Sequence, residues 1–144
     1  MTNKSFATLG TLALLTAASA FGQQIVTADI PFQFSFANMD MPAGHYQVTS
    51  THGMVRVADY AAQKNFVALS SNIGGGAQPT EPRLVFDKYG DKYFLAEVWP
   101  SSDTAYGVAV TKSRTERETA SVAPLVARVT IPVRAGAGAL ASLR

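Results

Sequence analysis

Residues 26–36 alternate between an apolar set and a second, mostly polar set. This period of two places the sets on opposite faces of a β-strand, one dry and one wet. Pro31 cannot donate a hydrogen bond to a neighbouring strand, so we expect the strand to lie at an edge or to bend there. The apolar set consists of Val26, Ala28, Ile30, Phe32, Phe34 and Phe36.

Similar alternation and frequent turn residues mark the rest of the chain. Further strands are predicted at residues 45–49, 55–57, 65–70, 83–99 (two strands), 105–110 and 122–134. Short strands separated by regular turn signals are typical of all-β folds. The sequence therefore predicts a mainly β domain, residues 23–134, with about seven or eight antiparallel strands and one short helix. A β-sandwich and a barrel-like arrangement both remain open.

Turn-forming residues set the boundaries of these strands. Turns are predicted at residues 41–44, 51–53 and 89–91, and an exposed loop at residues 70–82. The hairpin around Gly90 carries apolar side chains on both faces, so we expect it to be central in the fold. His45 follows the first turn and falls on the polar side of its strand, where a solvated histidine is expected.

One segment, residues 113–120, has the character of a helix. Ser113 and Glu116 have capping-box spacing, in which the hydroxyl accepts the N3 amide and the carboxylate reaches back to the cap amide. Arg114 and Glu118 are four residues apart and are expected to pair on a solvated face.

The two ends of the chain differ from its middle. Residues 1–22 have the layout of a signal peptide, with Lys4, an apolar run and an Ala-Ser-Ala cleavage pattern. Residues 135–144 are low in complexity and are expected to form a flexible tail. The chain has no cysteine, which excludes disulfides, thiolate nucleophiles and cysteine-ligated metals. We expect an exported protein, periplasmic or extracellular.

The segments ADIPFQF, MPAGHYQV, LVFDKYGDKYFLAEVW and SRTERE resemble, in this order, a group of small exported proteins of acidobacterial soil bacteria. The shared layout is IPFxF, PAGxYxV, YGDxYFLxxxW and SxxERE, and it covers nearly all residues after the signal peptide. Met41 stands where the group has leucine, a conservative apolar exchange. The resemblance implies export and a β-rich fold, and it carries no activity with it.

Few residues can support chemistry. His45 and His52 are the only histidines, and no metal-binding motif accompanies them, so neither a metal site nor a cofactor is predicted. The formal net charge is +2 and the charges are scattered, which argues against a nucleic-acid partner. Glu97 lies in an otherwise apolar strand. If it points inward it needs a cation such as Arg83 or Lys88, because an unpaired buried charge is strongly destabilising.

Aromatic residues around the central hairpin are the strongest candidates for a binding site. Flat amphipathic rings suit a glycan, a peptide or a lipid, although the same rings can simply form the core and its rim. The predicted ligand-binding residues are Tyr46, Tyr89, Tyr93, Glu97 and Trp99.

The favoured hypothesis is a non-catalytic binding or structural module of the cell envelope that is not an integral membrane protein. One alternative is a secreted, hydrolase-like enzyme that uses Glu97 or His45. It requires a deep pocket joining one of them to a second titratable group. The other alternative is a small outer-membrane β-barrel, which requires lipid-facing strands with aromatic girdles.

Overall fold

The computed structural model describes residues 24–51, 53–74, 81–100 and 106–135. These residues form eleven strands and one helix, which confirms the mainly β class with one short helix. The strands are β1 (Gln24–Ile30), β2 (Phe34–Phe36), β3 (Met39–Met41), β4 (Gly44–Thr51), β5 (Met54–Asp59), β6 (Lys64–Gly74), β7 (Arg83–Tyr89), β8 (Lys92–Trp99), β9 (Tyr106–Val110), β10 (Leu125–Pro132) and β11 (Arg134–Ala135). The helix is α1 (Arg114–Val122).

The strands form one mixed sheet that is not closed into a barrel. Its order is β10-β7-β8-β9-β6-β5-β4-β1-β11, and β2 and β3 attach to it through β8. Neighbouring strands are antiparallel, except that β2 meets β8 in parallel. The long strand β6 pairs with β5 over its first part and with β9 over its second part. It therefore links two halves of the sheet.

The first alternating segment divides at Pro31, as its missing amide predicts. Before the proline, β1 pairs with β4 and β11, and after it β2 pairs with β3 and β8. The buried apolar residues continue across the break: Val26, Ala28, Ile30, Phe34 and Phe36. One alternating sequence thus supplies core side chains to both halves of the sheet.

The core joins the two halves through aromatic contacts. Phe34 is 1% exposed, and its ring lies edge-on to Tyr46 of β4 at 5.2 Å and to Phe86 of β7 at 5.4 Å. Aliphatic side chains from β1, β4, β5, β7, β8 and β9 complete this cluster. Phe34 is therefore in contact with both halves at once.

The predicted central hairpin is formed by β7 and β8, which lie inside the sheet. Tyr89 pairs with Lys92, which leaves Gly90 and Asp91 as a two-residue turn. Gly90 has a φ of +61°, which glycine adopts without a steric penalty. One face of the hairpin packs into the core, and the other contacts side chains of β10 and α1.

The predicted cap of α1 forms in part. The Ser113 hydroxyl accepts the Glu116 N–H at 3.1 Å, and Arg114 pairs with Glu118 at 2.8 Å on the exposed face. The Glu116 carboxylate, expected to reach back to the cap amide, instead points inward and accepts a bond from Tyr89. Burial of this carboxylate is the main departure from the predicted capping box.

Several boundaries differ from those expected. The strands outnumber the predicted seven or eight because Pro31 splits one segment and because short strands form around the first turn and at Arg134–Ala135. Residues 70–74 belong to β6 and pair with β9 where a loop was predicted. Ala135 belongs to β11, although the tail was predicted to begin there. The predicted signal peptide, His52 and residues 136–144 lie outside the described residues.

Candidate functional site

The five residues predicted to form one aromatic face do not come together on one surface. Tyr46 and Tyr89 are 1% and 4% exposed, and the Tyr46 hydroxyl donates to the Pro42 carbonyl. Tyr93 is half-buried and stacks on Phe32, with ring centroids 3.9 Å apart. Burial of the first two rings and the stacking of the third fit the alternative of a core and its rim.

Trp99 and Glu97 do lie side by side, at the other end of the hairpin. The indole N–H donates to the Glu97 carboxylate at 2.8 Å, and the Arg83 guanidinium lies 4.7 Å from the ring centroid. The ring leans over Gly107, where an added Cβ would approach it to 2.6 Å. We call this group, Arg83, Glu97, Trp99 and Gly107, the Trp99 platform. Its polar groups are already paired within the protein.

Glu97 belongs to an ion-pair network, as expected for a structural carboxylate, but its cation is Arg128 of β10. Arg128 Nη1 lies 2.9 Å from Glu97, and its Nε lies 2.8 Å from the buried Asp87. Partial burial alone would lower the pKa of Arg128, but the bonds to the two carboxylates outweigh it and raise the pKa. The arginine therefore holds two carboxylates on the outer face of the hairpin.

Glu116 is a buried carboxylate that the sequence pattern presented only as part of a cap. It is 4% exposed and accepts a bond from the Tyr89 hydroxyl at 3.1 Å, while Lys112 donates to the same hydroxyl at 3.2 Å. Burial raises the pKa of Glu116 above its ordinary value of 4.5, and the Tyr89 bond and Lys112 only partly oppose this. Burial therefore disfavours the charged carboxylate in the folded state relative to the unfolded chain.

We expect Glu116→Gln to stabilise the protein relative to wild type increasingly as the pH rises. A raised folded-state pKa contributes stability that is complete below 4.5 and is lost as the pH rises through the folded pKa. Each unit of elevation corresponds to about 1.4 kcal/mol. Urea unfolding of both proteins from pH 4 upward measures the difference.

The matched control is Glu118→Gln, on the exposed face of the same helix. Its effect should stay within about 0.5 kcal/mol across the same pH range. If the change in unfolding free energy caused by Glu116→Gln is equally independent of pH, burial does not disfavour the charged carboxylate.

His45 occupies the polar side of β4 directly after the turn, as predicted. It pairs with Asp29 of β1, and its Nδ1 lies 2.6 Å from the Asp29 Oδ1. The two side chains are 56% and 88% exposed. The Tyr60 ring stacks on the imidazole at 6.0 Å. His45 is therefore a solvated member of an imidazole–carboxylate pair.

A cleft of about 580 Å³ opens beside this pair. It lies between β1 and the bend that joins β10 to β11, and it is lined by Thr27, Ala28, Asp29, Pro31, His45 and residues 131–134. We call it the seam cleft, because the two ends of the sheet order approach each other here.

The seam cleft exists because the β1–β11 ladder stops early. The strands pair at Thr27 and Arg134, and the next residues toward β10 are Val133 and Pro132. Val133 donates its N–H to the Pro82 carbonyl at 3.2 Å, on the β7 side, and Pro132 has no N–H. Neither can donate to β1, so the two segments diverge and leave a gap.

Of the two opposite charges that line the seam cleft, one has a partner and the other has none among the described residues. Asp29 is bonded to His45, whereas the exposed Arg134 side chain makes no hydrogen bond or ion pair to another residue in the described part of the chain. Pro31, Ile131 and Pro132 add apolar surface. The cleft can therefore offer a cationic group and an apolar wall to a ligand.

No group of three or more potential metal ligands occurs within the described ranges, and His52 lies outside them. The helix α1 is nine residues long. No helix among the described residues is long and apolar enough to cross a membrane. No family model, curated protein or solved structure matches the chain. The candidate site is therefore defined by its own geometry and chemistry.

Proposed function

We propose that the chain is an exported, non-catalytic binding module whose ligand occupies the seam cleft. Export is supported by the signal-peptide layout of residues 1–22 and by the resemblance to small exported proteins. The observation that carries the binding role is the gap itself. It is a large concave space at a place where the sheet has stopped pairing, and it is lined by Arg134, whose side chain has no partner among the described residues.

The lining selects a ligand that carries a carboxylate next to an apolar group. Arg134 offers a planar donor fork that suits carboxylates, and the imidazole of His45 lies in the same lining. The Asp29 charge is engaged by His45 at 2.6 Å, which limits its repulsion of an anion. Ile131 and Pro132 provide the apolar contact.

Binding accounts for this site better than catalysis does. The cleft meets one requirement of the enzyme alternative, since it joins His45 to Asp29. The hydroxyl group in its described lining, however, is that of Thr27 and not of a serine. The His45–Asp29 pair is also largely exposed to water. A solvated pair lacks the desolvation that perturbs catalytic groups.

The Trp99 platform is the weaker candidate. A binding surface keeps unpaired donors or acceptors for its ligand, whereas the indole N–H and Arg128 both already donate to Glu97. Arg83 also stacks on the ring, so a ligand must first displace it. We assign the platform to stabilising the outer face of the hairpin.

Isovalerate, a branched carboxylate, is expected to bind in the seam cleft. Titration of the ¹⁵N-labelled protein should shift the amide signals of Asp29, His45 and Arg134 together. Arg134→Gln should weaken the binding about tenfold, because a charge-assisted hydrogen bond is lost. Isovaleramide, which has the same shape without the charge, should bind more weakly by a similar factor.

Arg114→Gln is the control variant, because Arg114 is an exposed arginine on α1 outside the cleft. It should leave isovalerate binding unchanged. The single tryptophan, Trp99, should keep its fluorescence during the titration. If instead chitotetraose quenches Trp99 and Trp99→Ala abolishes glycan binding while isovalerate causes no shifts, the ligand site is the platform and the proposal is wrong.

A further inference from the structure

We infer that the ligand of the seam cleft is an extended peptide segment that adds as a strand to the free edge of β10 and places a carboxylate at Arg134. This inference rests on the proposed function and names the class of its ligand. The free strand edge, the cleft at its end and the cationic lining support it together.

The first observation is that β10 is an edge strand. It lies at one end of the sheet order and pairs with β7 on one side. Residues Arg128, Thr130 and Pro132 are exposed. Within the described part of the chain, no strand pairs with the other side of β10. An exposed strand edge is a template for pairing with another extended chain.

The backbone direction of β10 identifies the groups available for that pairing. Val133 donates to Pro82 on the β7 side. Successive residues of an antiparallel strand direct their amide groups to opposite sides, and the register with β7 is unbroken from residue 127 to residue 132. The N–H and C=O groups of Thr130 and Arg128 therefore point away from β7, toward the free edge.

The side chains of β10 provide the apolar half of a binding groove. Val129 and Ile131 are half-buried and pack against the core, so an added strand could continue that apolar face. At the other end of the strand, Leu125 and Val126 are 52% and 56% exposed. A peptide with alternating apolar residues fits this edge, because its apolar side chains would lie on the same face as Val129 and Ile131.

Charge complementarity fixes the end of the peptide that enters the cleft. Arg128 is engaged by Asp87 and Glu97, whereas the Arg134 side chain makes no hydrogen bond or ion pair to the described residues. Arg134 lies four residues after Thr130 in the sequence, beyond the end of the free edge, and lines the cleft. A strand lying along β10 would thus meet an available guanidinium at the cleft.

The test uses a soluble seven-residue peptide of alternating valine and threonine with a free C-terminal carboxylate. We expect it to shift the amide signals of residues 128–134 and to slow hydrogen exchange at the Thr130 amide. N-methylation of alternate peptide amides should weaken binding about tenfold or more, because it removes strand-pairing donors. Thr130→Pro should have a similar effect, since it removes a donor that does not face β7.

Two further peptides test the carboxylate. Amidation of the C-terminus should weaken binding about tenfold, and Arg134→Gln should remove this difference. An amidated peptide that ends in aspartate should recover the binding, because its side-chain carboxylate replaces the lost charge. Equal binding of the acid and the amide would overturn the contact with Arg134.

The outcomes separate this inference from the proposed function. If isovalerate binds in the cleft but the N-methylated and unmethylated peptides bind equally well, strand addition is wrong and the cleft remains a small-anion site. If neither the peptide nor isovalerate shifts the cleft residues, the proposed function fails as well. Because the N-methylated peptide acts on unmodified protein, this comparison does not depend on the folding of Thr130→Pro.

Discussion

Replacing Phe34 with alanine is expected to lower the free energy of unfolding by about 4 kcal/mol, within the range for large-to-small substitutions of buried aromatics. Phe34 is 1% exposed and contacts Tyr46 in one half of the sheet and Phe86 in the other. The truncation removes both edge-on contacts and leaves a cavity between the two halves of the sheet, which β6 joins by pairing with β5 and β9. Urea unfolding followed by circular dichroism measures the loss.

Met39→Ala is the matched control, because Met39 is 47% exposed and lies on the adjacent short strand β3. Its effect should remain within about 0.5 kcal/mol. A loss below about 1.5 kcal/mol for Phe34→Ala would mean that the core relaxes into the cavity and that Phe34 does not hold the halves together.

The features that sequence patterns predicted are those fixed by near neighbours. Alternation around Pro31 predicted buried Val26, Ile30 and Phe34 as well as the break in the strand. The glycine turn at Gly90 predicted the central hairpin, and Ser113 predicted the start of α1. Strand period, turn conformation and helix capping all depend on residues within a few positions, so one sequence is enough to find them.

Long-range contacts account for what the sequence did not show. Asn38 accepts bonds from both the N–H and the hydroxyl of Thr115 at 3.0 Å, across 77 positions of sequence, and so fixes α1 to the β2–β3 turn. Nothing local in either segment indicates this contact. The same holds for the inward Glu116, whose partner Tyr89 is 27 positions away.

The candidate site was missed for the same reason. His45 was correctly placed on a polar strand face, but its pairing with Asp29 depends on the register of β1 with β4. The seam cleft depends on where two sheet ends meet and on the Val133 bond to Pro82. One signal was available, since Pro132 interrupts the last alternating segment and cannot donate to a ladder.

Replacing Arg128 with methionine is expected to lower the free energy of unfolding by about 2 to 3 kcal/mol, because it leaves a buried carboxylate without its cation. Asp87 is 4% exposed and is bonded to Arg128 Nε at 2.8 Å. Glu97, bonded to the same guanidinium at 2.9 Å, would keep its bond from Trp99 as its one remaining bond to a described residue. The arginine itself is half-exposed, so water compensates part of the loss and the expected effect lies below that of a fully buried pair.

A double substitution separates the stability cost of the unpaired Asp87 charge from the cost of losing the packing of the arginine side chain. In the Arg128→Met background, Asp87→Asn should restore about half of the lost stability, because a neutral amide is less costly to bury than an unpaired carboxylate. Arg114→Met, which breaks the exposed pair with Glu118, should change stability by less than about 0.5 kcal/mol. If Arg128→Met and Arg114→Met prove equally mild, Asp87 does not depend on Arg128. The outer-face network would then be a set of ordinary surface ion pairs.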